Sequence, residues 1–300
     1  MTCVDLFSGL GGFSEGAKDS GANVLWAANH WPEAVRWHAQ NHPGTTHACE
    51  DLHRVNWTKV PDHEVLLASP CCQGHSRARG KDRPHHDSAR STAWAVVDAA
   101  EAKRPDWIVV ENVPEFLKWA LFPSFQDALQ RLGYCFEARV LDASEFGVPQ
   151  SRKRVFIICS RNRRAVKWPA GRCSCVPCAR EVIQWHSGQW SKVGEKCPAT
   201  IRKWELGRAA LGEEFLLAYY GNERGGRSVD RPFGTITTRD RFAVVKGDRL
   251  RMLTVSECRR AMGFPDTYQI PSNRRLAVHL LGNAVCPPVA AAIISALRAQ

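Results

Sequence analysis

Five short groups of residues have the types and spacing to do chemistry. SPCCQGHS, residues 69–76, places the thiols of Cys71 and Cys72 directly after the apolar run VLLA, 65–68. A cysteine in a loop at a strand end serves as a nucleophile when its thiolate is favoured. Arg77, Arg79 and Lys81 follow closely and supply the positive charge for that. The alternative use, a structural or metal-binding pair, suits adjacent cysteines poorly, because neighbouring side chains in extended chain point apart. ENV, 111–113, follows the run WIVV and puts Glu111 where a strand ends, although a solvated Glu opening a loop would read the same. In QSRKR, 150–154, Gln150, Arg152 and Arg154 alternate and so share one face of an extended segment, as a charged strand edge also would. DLFSGLGGFSEG, 5–16, is a strand, a glycine-rich turn and a helix start. Gly9, Gly11 and Gly12 let backbone approach a ligand closely, and helix-start amides can bond an anionic group; an ordinary tight turn is the alternative. The loop lacks the G-x-G-x-x-G spacing, which counts against a nicotinamide enzyme. The fifth group, LGNAVCPP, 281–288, opens the last helical stretch.

The elements that position these groups alternate. Strand patterns at 3–7, 23–28, 65–68, 107–110, 135–141 and 154–159 are interleaved with helical patterns from about Phe13, at 32–41, at 91–103 (Trp94, Val96, Val97, Ala100) and near 123–132. This order predicts an α/β fold, a mostly parallel, doubly wound sheet with helices on both faces. Ligands on such sheets bind beyond the carboxyl ends of the strands, where the motifs fall. From about residue 161 the texture becomes rich in Arg, Lys, Gly, Trp and Cys with little periodicity, which predicts a second, less regular domain. Periodicity returns with FAVV, with 254–262 and with 287–299.

Taken together, DLFSGLGG, the PCQxxS-like block at 70–76, ENV, QxRxR and GNAV closely resemble the ordered blocks of the S-adenosylmethionine-dependent cytosine-five DNA methyltransferases, and LTVSECRRAMGFPDTY is similar to a late block of that family. The resemblance covers about 3–159 and 231–298 and implies a Rossmann-like methyltransferase. It implies Cys72 as the nucleophile, since Gln73 and Ser76 follow at the family spacing. Glu111 is implied at ring nitrogen three of the base, and Arg154 with Arg152 at the base oxygen and a phosphate. Phe7, Gly9 and Gly11 are implied beside the methionine moiety, with Asp5, Ser8 and Gly12 in the same block. Trp31 is implied against adenine, with His30 beside it at the ribose. Asp51 with Leu52 falls at the adenine amino group, Pro70 in the same pocket, and Asn283 and Val285 at its closure. Gln73, Ser76, Arg77, Arg79 and Gln150 are the implied DNA contacts. The target carbon is out of reach inside a duplex, so the base must be flipped at a cost of a few kcal/mol. The stretch 77–90, with five Arg or Lys against two Asp, is read as a loop that closes over DNA, although a solvated charged loop would look alike.

Two positions depart from the family pattern. Cys71 stands where proline is usual, and His30 stands where a Glu usually grips both ribose hydroxyls. A neutral imidazole accepts one hydrogen bond rather than two, which leaves Asn29 as a possible compensation. The cluster Cys173, Cys175 and Cys178, with Cys197 or His186, has the residue types for zinc, against free thiols in an irregular domain.

Composition agrees with this reading. The 300 residues are 44% hydrophobic, enough for a large core, and the net charge of +11 favours a polyanionic partner. Twelve cysteines without a basic, apolar N-terminal leader are read as reduced thiols, Cys3, Cys135 and Cys159 in buried-looking runs. No apolar run is expected to reach the roughly 18 residues of a membrane span. The division expected is 1–160 for catalysis and cofactor, 161–235 for target recognition, and 236–300 returning to the catalytic domain. The segment 161–235 carries Trp168, Trp185, Trp190 and Trp204 among its cations, suited to groove contact or simply to a small core. The expectation is a monomeric enzyme of DNA methylation on double-stranded DNA, cytoplasmic (bacterial or phage-encoded) or nucleoid-associated, of the kind found in restriction-modification. A cytosine-five methyltransferase of transfer RNA and a non-catalytic DNA-binding relative are the alternatives; intact Cys72, Glu111 and Arg154 weigh against the second.

Overall fold

The computed structural model describes residues 1–71, 92–161, 165–171, 176–219 and 223–300. In chain order its elements are β1 (Thr2–Leu6), α1 (Gly12–Asp19), β2 (Asn23–Asn29), α2 (Pro32–Asn41), β3 (Thr46–Cys49), β4 (Val65–Ala68), α3 (Trp94–Lys103), β5 (Trp107–Asn112), α4 (Phe122–Arg131), β6 (Tyr134–Asp142) and β7 (Lys153–Arg161). There follow β8 (Ser191–Lys192), α5 (Pro198–Leu211), β9 (Glu214–Ala218), β10 (Gly226–Ser228), β11 (Phe242–Lys246), β12 (Arg249–Met252), α6 (Val255–Ala261), α7 (Arg274–Asn283) and α8 (Pro287–Arg298). The chain forms two compact units, one of 1–142, 153–171 and 284–300, the other of 143–152 and 172–283.

The first unit holds a seven-stranded sheet of order β3-β2-β1-β4-β5-β7-β6. β1 to β5 pair in parallel, and β7 runs antiparallel to both β5 and β6. Strands buried on both faces read as unbroken apolar runs, and all four residues of VLLA in β4 are buried for that reason. One apolar cluster joins Leu66, Ile108, Val110 and Ile157 of the sheet to Val96 and Ala100 of α3 and Phe125 and Leu129 of α4. α1 and α8 meet at backbone distance: a Cβ on Gly16 would lie 2.5 Å from the Ala290 side chain and 2.7 Å from the Pro287 carbonyl. β3 escapes the sequence pattern because THAC is short and only partly buried.

Arg274–Arg298 is long and apolar enough to cross a membrane by composition, its most apolar 18-residue window having a mean hydropathy of 1.8, which corrects the expectation that no such run exists. It is core instead: 67% of its most apolar window is buried inside the fold, and the helix breaks at 284–286 before Pro287 and Pro288. The break made α7 illegible as a separate helix. Cys3 and Cys159 are buried as expected, but Cys135 is exposed on β6. Burial pushes the Cys3 thiol up to about 12 and Cys159 higher still, so neither supplies a thiolate.

The second unit contains an antiparallel sheet of order β10-β9-β11-β12-β8. The sequence boundary between 235 and 236 falls inside this sheet, since Phe242–Lys246 pairs with Glu214–Ala218. Gly207 of α5 and Gly226 of β10 both lie against the Phe215 ring, where a Cβ would come within 2.5 Å. Trp204 packs on the small core of Val193, Phe215, Leu217, Ala243, Val245 and Leu250, and its Nε1 donates to the Gly247 carbonyl at 2.9 Å. Trp185 lies between Arg180 and Lys246, and Trp190 packs against Arg251. Trp168 belongs to the first unit, where it donates to Glu137 at 2.9 Å and lies under Arg139.

One ion pair in this unit is sealed from water. Arg251 and Glu257 have side chains 1% and 0% exposed and are joined by two bonds, of 2.7 and 2.8 Å. Glu257 also accepts from the amides of Thr254 and Gln184, both at 2.7 Å, and closes the capping box of α6. Removing one partner leaves the other charge buried alone. Glu257→Ala is therefore expected to lower the unfolding free energy by about 3–5 kcal/mol in urea titration. A loss below about 1 kcal/mol, the range of an exposed pair, would show that the bonds carry little stability.

Candidate active site

In the first unit β1 is flanked by β2 on one side and β4 on the other, so the chain order reverses there. A crevice opens at such a switch point, beyond the carboxyl ends of the strands. The residues that leave β1 and β4 are the glycine-rich loop and the segment Ser69–Cys71.

The loop is held in a shape that few sequences allow. Phe7, Gly9 and Gly11 have φ of 59°, 55° and 93°. Glycine takes the left-handed region freely, while Phe7 pays for it. The Ser8 amide donates to the Ala28 carbonyl at 3.1 Å, and Gly11 donates to the Ser8 carbonyl at 2.8 Å. Gly12 lies against the backbone of Val285, where a Cβ would fall 2.0 Å from the carbonyl oxygen, so the first and last sequence blocks meet. At Gly9 a Cβ would meet only the Phe7 oxygen, at 3.7 Å. The loop therefore leaves open a cradle that a side chain would fill.

Other predicted cofactor residues lie at neighbouring strand ends. Asn29 closes β2, and its Oδ1 accepts from the Trp31 amide at 3.0 Å. That bond places Trp31 as the cap of α2. His30 itself is exposed. Asp51 is exposed after β3, its Oδ1 accepting from the His53 amide at 3.1 Å, and Leu52 beside it is buried. An open glycine cradle, an aromatic ring and an exposed carboxylate fit the amino acid, adenine and amino-group chemistry of S-adenosylmethionine. Asn283 ends α7 in the second unit, exposed, its Nδ2 3.2 Å from His279 Nε2.

The segment leading to Cys72 is tied down at each residue. Ser69 donates its amide to the Leu6 carbonyl at 3.2 Å. The Pro70 carbonyl accepts from Asn112 Nδ2 at 3.1 Å, and the Cys71 amide donates to Thr92 Oγ1 at 3.0 Å. Asn112 is the middle residue of ENV, and its side chain also accepts from the Val113 amide at 2.8 Å. The motif thus does two jobs, since Asn112 fixes the cysteine segment while Glu111 stands at the strand end. Glu111 is 7% exposed, and its Oε1 lies 3.1 Å from Arg154 Nε. Antiparallel pairing of β5 with β7 brings them together. Cys72, Gln73, Ser76, Arg77 and Arg79, and the basic stretch to residue 90, lie outside the described residues.

Gln150 and Arg152 do not share a solvent-facing edge with Arg154. β7 begins only at Lys153, and both residues belong to the second unit and are buried. Gln150 donates to the Ala261 carbonyl at 2.8 Å and accepts from the Ile236 amide at 2.7 Å. Arg152 donates to the carbonyls of Ile236 and Gly282 at 3.0 and 2.8 Å. In this arrangement neither presents its polar end to a base or phosphate; both hold the late blocks in place. Strict alternation over five residues could not reveal that the chain turns inward between them.

Among the described residues no group of three or more His, Cys, Asp or Glu is placed to hold a metal ion. Cys173 and Cys175 lie outside the described residues. The Cys178 amide donates to Glu181 at 2.9 Å, and Cys197 lies 3.4 Å from Thr200 Oγ1.

Comparison with known proteins agrees with the geometry. The family model described as C-5 cytosine-specific DNA methylase matches residues 1–174 and 212–299. The type II methyltransferase M.NlaX of Neisseria lactamica is 26% identical over 99% of this chain and 96% of its own length. M.HhaI of Haemophilus parahaemolyticus is 25% identical over 94% of this chain and 89% of its own length. Among solved structures, a putative DNA modification methyltransferase from an Escherichia coli prophage superposes with a TM-score of 0.75 at 19% identity, over 100% of this chain and 99% of the other. The Dnmt2 methyltransferase of S. pombe does so with a TM-score of 0.72 at 19% identity, over 98% and 97%; at these identities the likeness is one of fold. With the model matching both sides of the segment that separates its blocks, the chain belongs to the C-5 cytosine-specific DNA methylase family.

Proposed function

We propose that this chain methylates carbon five of a flipped cytosine in double-stranded DNA by covalent catalysis through Cys72. The observation that carries the reading is the Glu111–Arg154 pair at the end of β5, beside a Pro70–Cys71 segment anchored by Asn112. Cytosine carbon five is a poor nucleophile. Addition of the Cys72 thiolate to carbon six makes the ring an enamine, with charge drawn onto it as the C–S bond forms. Glu111 meets ring nitrogen three and stabilises that charge, and Arg154 holds the Glu111 carboxyl in place and faces the base oxygen. S-adenosylmethionine supplies the electrophilic methyl when bound. The loop Phe7–Gly12, Trp31 and Asp51 hold it, and His30 makes the single ribose contact that an imidazole allows. After transfer, a water molecule takes the carbon-five proton, the freed electron pair re-forms the double bond between carbons five and six, and the C–S bond breaks to release the Cys72 thiolate and restore aromaticity.

The segment 161–235 is the reading head for sequence. It lies between the parts matched by the family blocks and carries Trp185 flanked by Arg180 and Lys246. Trp204 takes no part, being committed to the core. The relatives named type II methyltransferases favour a place beside DNA as the modification arm of a restriction system.

The test is transfer of labelled methyl from S-adenosylmethionine to duplex DNA and, in parallel, to transfer RNA, followed by mapping of the modified cytosines. Label in duplex DNA at carbon five of a defined site is expected. A chimaera carrying a relative's 161–235 should move the mapped sites. Label in RNA alone would overturn the substrate, and an active chimaera that keeps the parent's sites would overturn the assignment of recognition.

A further inference from the structure

Beneath the glycine-rich loop runs a line of polar side chains, buried up to the half-buried His47, that the proposed chemistry does not use. Ser14 of α1 donates its Oγ to Asp5 Oδ2 of β1 at 2.7 Å. His38 of α2 brings Nε2 to 2.9 Å from the same Ser14 oxygen and to 3.9 Å from the Asp5 carboxylate. On its other side His38 Nδ1 lies 2.8 Å from Nε2 of His47, in β3. Asp5 and His38 are both 0% exposed. His42 packs on the His38 ring with centroids 4.7 Å apart, and its Nε2 lies 3.8 Å from Glu15. Burial, then the charge of neighbouring groups, pushes His42 down to about 3, and burial with the nearby His38 pushes His47 down to about 4.

Stability alone does not call for such a line, because well-packed apolar residues of similar volume commonly serve as well or better. Its placement is informative. Asp5 and Ser14 stand on either side of the loop, so their bond ties its two ends together. α2 starts directly after Trp31, and β3 leads to Asp51. One chain of contacts therefore joins the three segments that form the crevice, and a buried hydrogen-bonded network favours one arrangement over others. We propose that Ser14 and His38 are positioning residues for the cofactor: they set the glycine-rich loop in register with the Trp31 and Asp51 segments, so that S-adenosylmethionine meets a preformed site. The inference rests on reading that crevice as the cofactor site.

Calorimetric binding of S-adenosylhomocysteine to the full chain tests it, with Ser14→Ala, His38→Asn and His38→Gln beside the wild type. Ser14→Ala and His38→Asn each lose the contact between Ser14 and position 38 or its extension to Asp5, and are expected to weaken binding about tenfold or more. A Gln amide reaches the place of Nε2 and an Asn amide the place of Nδ1, so His38→Gln is expected to bind within about threefold of wild type. At saturating cofactor kcat should stay within about twofold for all three, because the loss is one of ground-state binding. Both amide variants lose the same ring, so a merely structural role would leave their affinities alike, and that result overturns the proposal. Should the variants fail to fold, 15N-histidine spectra of the wild type serve: His38 and His47 are expected to hold single, bonded tautomers before S-adenosylhomocysteine is added, and ring signals that are averaged until it is added overturn the proposal. A wild type that binds no S-adenosylhomocysteine refutes the cofactor reading itself, whereas tight wild-type binding with unaltered variants refutes only the positioning role.

Discussion

Cys72→Ser is expected to leave methyl transfer at background while S-adenosylhomocysteine still binds, and Cys71→Ser is expected to keep most of the activity. A free cysteine is a few per cent thiolate near neutral pH and intrinsically nucleophilic, whereas a serine hydroxyl attacks only with a strong base beside it. The two thiols are neighbours, so the assignment depends on which one the chain aims at the base. Cys71 has its amide bonded to Thr92 and is half-buried, in a segment whose Pro70 carbonyl is held by Asn112. Both the Pro70 carbonyl and the Cys71 amide are committed to bonds with neighbouring segments, which suits Cys71 to an anchoring part. The spacing of Gln73 and Ser76 agrees. Transfer of labelled methyl and retention of labelled DNA on denaturing gels distinguish the two: an active Cys72→Ser with a dead Cys71→Ser would reverse the assignment. Intact cofactor binding in both variants shows that the loss is chemical.

The positions most legible in the sequence are those at strand ends. A short apolar run followed by a polar group is a local pattern, and VLLA-SPCC and WIVV-ENV both obey it. Gly9 and Gly11 were legible for the same local reason, since a turn at positive φ selects glycine. What could not be read depends on partners distant in sequence. Arg152 donates to carbonyls at 236 and 282, and a carbonyl has no sequence signal. Gln150 likewise spends its amide on residues 236 and 261. The line of contacts through His38 has no sequence signal, because a histidine in a helix at 32–41 looks like any half-polar helical position until β3 brings His47 against it. The run 276–297 conceals its length in the sequence, because Gly282, Pro287 and Pro288 interrupt it, although no acidic, Lys or Arg residue does. In the second unit the tryptophans divide according to neighbours that sequence does not order, Trp204 into the core and Trp185 between two cations.

Glu111→Gln is expected to lower turnover by about 10²–10⁴-fold, the usual worth of a positioned proton-transfer group, while DNA affinity changes by less than about tenfold. Gln is nearly isosteric and can still hydrogen-bond ring nitrogen three, so recognition of the base survives. It can neither carry the charge nor exchange the proton that accompanies thiolate addition. The ion pair adds a second consequence. Arg154 Nε is 3.1 Å from Glu111 Oε1, with the Arg154 side chain 16% and Glu111 9% exposed, so the pair is shielded and each partner orients the other. Arg154→Ala should therefore also reduce turnover, by freeing the Glu111 carboxyl as well as by removing a base contact. Since residues in direct contact do not act independently, the double variant should fall short of the summed single losses by about 0.5–3 kcal/mol in activation free energy. Single-turnover rates at saturating DNA and cofactor measure this without the complication of product release. Unchanged turnover in Glu111→Gln would remove Glu111 from the chemistry. Strict additivity would show that the Glu111–Arg154 bond has no part in setting the carboxyl, and that Arg154 serves the DNA alone.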